Sequence, residues 1–502
     1  VKRANLLPLR QNSMVCRWSL TAVIATAILG PSLAHAQATP YDIVIRNGRV
    51  IDPESGLDAI RSVGIRAGKI AAVTTGPLQG KQVIDARGLV VAPGFIDLHV
   101  HGQDNENYRV YALDGVTTAL ELEVGVDDVP AFYSARDGKA LINFGASAGH
   151  IPARMTVMKD GGVPRHTLLP LDSAGHNAAS DAQIAEMRKH IETGLAAGAL
   201  GVGMGLEYTP AATRYETLEM FRGAAKYHAA IFVHTRGLGT AEPGSSVEGY
   251  MEVIAASAIT GAPVHIVHLN STSLEVTPRT LALIQEARAH KVDVTAEAYP
   301  YVAGMTEISS PLLDRFANGP DSMFAKLMLV STGERLTRAT FTANRTPGNM
   351  VILFLNTPEM EAMAITSPLT MIASDGRIAN GKGHPRTAGT SARILGHYVR
   401  ETHQLSLVTA IRKLTLMPAQ RLEKRAPMFK NKGRIRVGAD ADITVFDPAT
   451  VIDKSTYQQP ALTSVGFRVV LVNGVPVVMD GVVRDGTYPG RAARAPLGNA
   501  AP

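Results

Sequence analysis

Eight short apolar runs recur between residues 94 and 376, and helix-like segments such as 181–197 and 275–290 fall between several of them. The runs are GFIDLHVH, TTALELE, LINFGAS, ALGVGMG, AIFVHTR, PVHIVHLN, VDVTAEAYPY and TMIASDG. Eight strand–helix units in succession predict an α/β fold, a (β/α)8 barrel whose functional groups stand at the C-terminal ends of the strands. Residues 305–366 are too long for one link of such a barrel and are expected to form an insertion, as a lid or a specificity segment.

The pattern is different at the two ends. YDIVIRNGRVID and SVGIRAGKIAAV near the start, and GADADITVFDP and FRVVLVNGVPVVMDGVV near the end, alternate in the manner of antiparallel strands joined by Asn and Gly turns. Residues 41–91 and 428–486 are therefore expected to pair into one small β-sandwich, leaving 92–427 as the barrel.

Residues 14–36, MVCRWSLTAVIATAILGPSLAHA, carry a basic start, an apolar stretch and a small-x-small cleavage site, the pattern of a secretory signal with Met14 as initiator. The apolar run is short for a membrane anchor, and no cysteine follows AHA for lipid attachment. Loss of residues 1–36 removes Lys2, Arg3, Arg10 and Arg17, so the net charge falls by four from +6 to +2. The basic character then gives no support for nucleic-acid binding. Cys16, the only cysteine, leaves with the same segment, so the remainder has neither disulfide nor thiolate ligand. The expected product is an exported protein, periplasmic or secreted, that is not membrane-bound after cleavage.

The strand ends are the chemically informative positions. They present His99 and His101, Glu123, His234, His268 and Asp375 on strands one, two, five, six and eight. A lone strand-end histidine most often satisfies an ordinary hydrogen bond, but this many imidazoles and carboxylates converging on one mouth form a metal-ligand inventory. Glu121 and Glu123 lie two apart in a strand and are expected to share a face. Glu123, nearer the strand's end, is the preferred ligand, with Glu121 a supporting partner one layer deeper.

GFIDLHVH, VHTR, HIVHLN, YPY, ASDG and HPRTAGTSARILGHYVRE together resemble the amidohydrolase superfamily. Within it the chain is most similar to the N-acyl-D-amino-acid deacylases, from Tyr41 to Arg494. The resemblance implies hydrolysis of an amide at a site of one or two zinc ions, with manganese suiting the same donors in part. It places His99 and His101 as the strand-one pair, His234 and His268 as further ligands, and Asp375 as both ligand and proton shuttle. The deacylases commonly carry a metal-binding cysteine at the end of strand two, and other relatives a carbamylated lysine on strand four. This sequence has neither, and Glu123 is expected to bridge in their place.

A second departure is Asn270, where the deacylases carry a lysine that helps hold the substrate carboxylate. Tyr208 in GLEYTP matches a substrate-contacting tyrosine, and Arg236, His150 and Arg154 stand near the expected mouth. His384 and Arg386 in HPRTAGT are read as a pocket-shaping loop. The implied substrate is a small N-acyl-amino acid, preferably of D configuration. A dipeptide or a lactam is the alternative that Asn270 opens. A barrel that only binds metal or ligand would have no use for Asp375.

Overall fold

The computed structural model describes residues 40–498. The leader expected at 14–36 lies outside the described residues. Among the described residues, no helix is long and apolar enough to cross a membrane.

The described residues open with β1 (Tyr41–Asp52), β2 (Leu57–Arg66), β3 (Lys69–Thr74), β4 (Gly80–Asp85) and β5 (Val90–Pro93). Seven barrel strands follow: β6 (Phe95–Asp97), β7 (Val116–Val126), β8 (Asn143–Gly149), β9 (Gly201–Gly205), β10 (Ala230–His234), β11 (Val264–Ile266) and β12 (Val294–Ala298). An excursion then adds β13 (Ala303–Glu307), β14 (Leu327–Leu329) and β15 (Met350–Phe354) before the eighth barrel strand, β16 (Thr370–Ile372). The hairpin β17 (Ile378–Ala379) and β18 (Lys382–Gly383) precedes a helical stretch. The chain closes with β19 (Ile443–Phe446), β20 (Phe467–Val472), β21 (Val475–Met479) and β22 (Val482–Val483).

All eight apolar runs form strands, and these lie parallel in sequence order from β6 to β12 and then β16. The first and last meet just beyond their ends. Val100 bridges Gly376, His101 N–H donates to Gly376 O at 2.9 Å, and Asp375 N–H donates to His99 O at 2.7 Å. Ile96, Leu98, Leu120, Leu122, Phe232 and Met371 cluster although β10 neighbours neither β6 nor β16, so they meet across the barrel interior. Ala419, Leu422 and Phe429 join the cluster and close the barrel at the end opposite the site.

The terminal strands form one nine-stranded sheet, in which β5 pairs with β19 and so joins the two chain ends. Ile45, Val63, Ile70, Ile443 and Leu471 make its own core. In the excursion, β15 pairs antiparallel with both β13 and β14, over a separate apolar cluster that includes Phe316, Phe324 and Phe341. The helix Pro358–Thr366 packs on β12 and β16, so the last residues of the expected insertion belong to the barrel's helical layer.

Candidate active site

The first barrel strand turns at Asp97, whose Oδ1 accepts from His99 N at 3.1 Å and from Ser374 N at 3.0 Å, tying the first strand to the eighth. His268 and Asp375 have positive φ, 30° and 53°. Left-handed backbone is uncommon for such residues and is held only where surrounding contacts fix it. Both side chains point into one mouth.

Four donor atoms form the first group. His99 Nε2 lies 3.2 Å from His101 Nε2, 3.1 Å from Glu123 Oε2 and 3.5 Å from Asp375 Oδ1. His101 Nε2 lies 3.1 Å from Glu123 Oε2 and 3.2 Å from Asp375 Oδ1. The second group has three members: Glu123 Oε1 lies 2.9 Å from His234 Nδ1 and 3.2 Å from His268 Nε2. Glu123 thus offers one oxygen to each group.

The remaining ring nitrogens fix the tautomers. His99 Nδ1 is 2.6 Å from Glu297 Oε1, and His101 Nδ1 is 2.8 Å from Glu121 Oε2. An ionised carboxylate only accepts, so each Nδ1 donates, and each Nε2 is the nitrogen left to face a metal ion. The two Nε2 atoms, 3.2 Å apart beside two carboxylate oxygens, call for positive charge between them, as protons or as a metal ion that takes their place. Tetrahedral bonds of 2.0–2.1 Å separate ligand atoms by about 3.3 Å, which matches this set. The field agrees. Burial alone would lower the His99 pKa, yet the charges of Asp375, Glu123 and Glu297 raise it to about 10. Burial opposes ionisation of Glu123 and Asp375, but His99 and the hydrogen bonds from His101, His234 and His268 hold Glu123 well below the carboxylate range. Arg386 and His99 do the same for Asp375. The donor set fits one or two divalent ions.

Two cavities meet at this centre, sharing Tyr208, Met305, Thr306 and Asp375. One, of about 60 Å³, is walled largely by apolar side chains, among them Leu238, Leu274, Leu312, Leu353 and Leu355, several of them from the excursion. Among the described residues no lysine or arginine lines it, and Glu207, which does, is paired with Arg315. The other, of about 30 Å³, holds Arg377 and Arg386. Arg386 Nη2 is 2.8 Å from Asp375 Oδ2 and its guanidinium covers the Tyr299 ring, while Nε and Nη1 are buried without a hydrogen-bond partner. The Tyr208 ring packs 4.8 Å from that of His234. Burial and the nearby Glu123 and Asp375 charges push its hydroxyl pKa well up, keeping it a donor.

The structure brings His99, His101, Glu123, His234, His268, Asp375 and Tyr208 together, and it turns three expected substrate contacts elsewhere. Arg236 pairs with Glu252 at 2.7 Å and donates to the carbonyls of Pro210 and Ala212. His150 and Arg154 are fully buried on Glu216, at 2.7 and 2.6 Å. Asn270 borders the apolar cavity, but its amide donates to Tyr299 O and accepts from Tyr299 N, so it orders the end of β12. His384 is buried among Tyr299, Tyr301 and Tyr457, consistent with a pocket-shaping place. Glu297 was not anticipated. It receives His99 Nδ1 on one oxygen and His265 Nε2 on the other, at 2.9 Å, and its pKa is about 2 because the His99 charge and both histidine hydrogen bonds outweigh burial. The same signal that marked Glu121 and Glu123, a carboxylate in an apolar strand, is present in VDVTAEAYPY.

The amidohydrolase family model matches residues 90–477. The chain is 28% identical over 494 residues to the D-aminoacylase of Alcaligenes xylosoxydans xylosoxydans, covering 89% of this chain and 96% of that protein. It is 30% identical over 470 residues to the N-acyl-D-glutamate deacylase of the same organism, covering 87% and 93%. Among solved structures, the N-acyl-D-glutamate deacylase of Bordetella bronchiseptica, complexed with zinc and a phosphonate mimic of the tetrahedral intermediate, superposes with a TM-score of 0.79. The sequences are 26% identical, with 91% of this chain and 100% of that one covered. A D-aminoacylase structure gives 0.75 at 27% identity, over 91% and 100%. The chain belongs to the amidohydrolase family, within the group of the D-aminoacylases and N-acyl-D-amino-acid deacylases.

Proposed function

We propose that this protein is a zinc-dependent deacylase that cleaves the amide bond of N-acyl-D-amino acids with uncharged, apolar side chains. The observation that carries the reading is Glu123 shared between two ligand groups, beside a corner that holds Arg377 and Arg386 and an apolar cavity. His99, His101, Glu123 and Asp375 would hold one ion, and Glu123, His234 and His268 the other, which leaves the second set one ligand short of four. Zinc bound there supplies Lewis acidity and water that is acidic near neutral pH.

Asp375 is the proton carrier. Arg386 holds its Oδ2 at 2.8 Å and so orients the carboxylate toward the reacting atoms. It takes the proton from the attacking water and returns it to the leaving nitrogen. The Tyr208 hydroxyl donates to the developing oxyanion. Arg377 and Arg386, which line the smaller cavity, receive the substrate α-carboxylate, the task that Asn270 does not perform. The apolar cavity takes the amino-acid side chain. A glutamate or aspartate side chain would meet Glu207 there and no unpaired cation.

Support for the D configuration comes from the relatives' substrates, and support for export from the basic, apolar and small-x-small pattern of residues 14–36. The test is hydrolysis by the purified chain, zinc-loaded and chelated, across paired N-acetyl-D- and N-acetyl-L-amino acids and dipeptides. Zinc-dependent release from N-acetyl-D-leucine well above N-acetyl-D-glutamate is expected. A zinc-loaded enzyme that cleaves only dipeptides or the L series overturns the reading. N-terminal sequencing of the protein recovered from its host, beginning after Ala36, tests export.

A further inference from the structure

The end of the barrel opposite the metal centre holds a separate cavity of about 350 Å³, built from the starts of the strands around Ala230, Thr295 and Met371. Its charged lining is one-sided: Arg288, Arg412, Arg421, Lys424 and Arg425 against the single carboxylate Asp293. Arg421 takes that carboxylate at 2.6 Å. Among the described residues, the other four cations pair with no carboxylate. Arg425 spends its donors on the carbonyls of Ala199, Tyr227 and Leu195, so it keeps its full charge.

The Arg421 side chain is only 6% exposed, and its Nε is buried with no hydrogen-bond partner. A buried guanidinium donor without an acceptor is costly, and a pocket lined by one sign of charge concentrates counter-ions. Arginine's planar fork suits an oxyanion with two acceptor oxygens. None of these residues takes part in the chemistry at the mouth.

We propose that this cavity is a binding site for a multiply charged small oxyanion, of which inorganic phosphate is the simplest. Occupancy neutralises the surrounding cations, so the anion stabilises the folded barrel from its closed end. The volume admits a phosphate together with bridging water.

The experiment is calorimetric titration of inorganic phosphate into the full, metal-loaded chain freed of unbound metal, at ionic strength held constant with chloride. Thermal unfolding is followed in parallel. One saturable site and a rise in Tm with phosphate concentration are expected. Arg412→Gln combined with Lys424→Gln, both at the cavity rim, is expected to weaken phosphate by about tenfold or more while leaving amide turnover unchanged. Arg421→Met is expected to remove the site. Unchanged affinity in the double variant places the phosphate at the mouth and overturns the proposal. So does an equal Tm rise with chloride alone, or the absence of binding heat in the parent chain.

Discussion

Glu121 and Glu123 grip the two nitrogens of one imidazole: His101 Nδ1 lies 2.8 Å from Glu121 Oε2, and His101 Nε2 lies 3.1 Å from Glu123 Oε2. Strict alternation would have put both carboxylates on one side of the ring. The pairing of β7 with β8 slips between Glu121 and Val126, and that irregularity lets the two acids approach the ring from opposite ends. Glu121 Oε1 also accepts from the backbone N–H of Val124 and Gly125, which stabilises the same irregular stretch.

The two acids should therefore fail differently. Glu123→Gln is expected to lose metal from both ligand groups, whereas Glu121→Gln keeps the ligands and weakens affinity by about 10–100-fold. Metal content after dialysis against graded chelator separates them. Equal losses would show that Glu121 is itself a ligand.

Asp375→Asn keeps the shape of the side chain and removes its basicity. Turnover should fall on the order of 10²–10⁴-fold, with circular dichroism near that of the parent and a lower Tm, because Arg386 loses its buried partner. Substantial residual turnover would move the proton transfer to another group.

Arg386→Met removes one of the two guanidinium groups assigned to the substrate carboxylate and also unclamps Asp375. For N-acetyl-D-leucine, KM should rise on the order of 10–100-fold. The KM penalty should vanish for the corresponding α-carboxamide, while the fall in kcat from the freed Asp375 persists for both. Asn270→Ala should instead cost about 1–3 kcal/mol of stability and leave the carboxylate preference intact.

The strand-end positions were legible because the period of a strand and the polarity of a barrel together fix which residues reach the mouth. His99, Glu123, His234, His268 and Asp375 needed nothing more. Arg236 and His150 turn away from the mouth, and Asn270 borders it with its amide already engaged, because their directions are set by partners remote in sequence. Glu252, Glu216 and the backbone of Tyr299 claim them, and no local pattern announces those bonds. The joining of the two chain ends was visible as alternation, while the choice of β5 and β19 as the joining pair was not.

The Glu216 cluster gives a purely structural prediction. Arg154→Met leaves His150 and Glu216 buried with an uncompensated charge, at a cost of about 3–5 kcal/mol in chemical denaturation. KM for the remaining folded enzyme should not move, because none of the three side chains reaches either mouth cavity.

Acid sensitivity has an identifiable source outside the metal centre. Asp440 lies 2.5 Å from Lys69 and 3.1 Å from Lys432, linking β3 to the segment before β19. Burial would raise its pKa, but the Lys432 charge and the bonds from both lysines lower it below the ordinary 3.8. The unfolded chain therefore binds more protons as pH falls below that value. The stabilisation is complete above the ordinary aspartate range and is lost on further acidification. Asp440→Asn should flatten that part of a plot of unfolding free energy against pH. An unchanged slope would assign the acid limb to other carboxylates.

The bond from His99 to Glu297 has a consequence for how such a site is inherited. His99 belongs to the turn after the first barrel strand, but its usable tautomer is dictated from the seventh, and the chain continues through His265 to Thr295 near the opposite end. Loops transplanted onto another barrel would carry the histidines and leave behind the axle that aims them. Only scaffolds that already hold a carboxylate at that depth could accept this mouth as a graft.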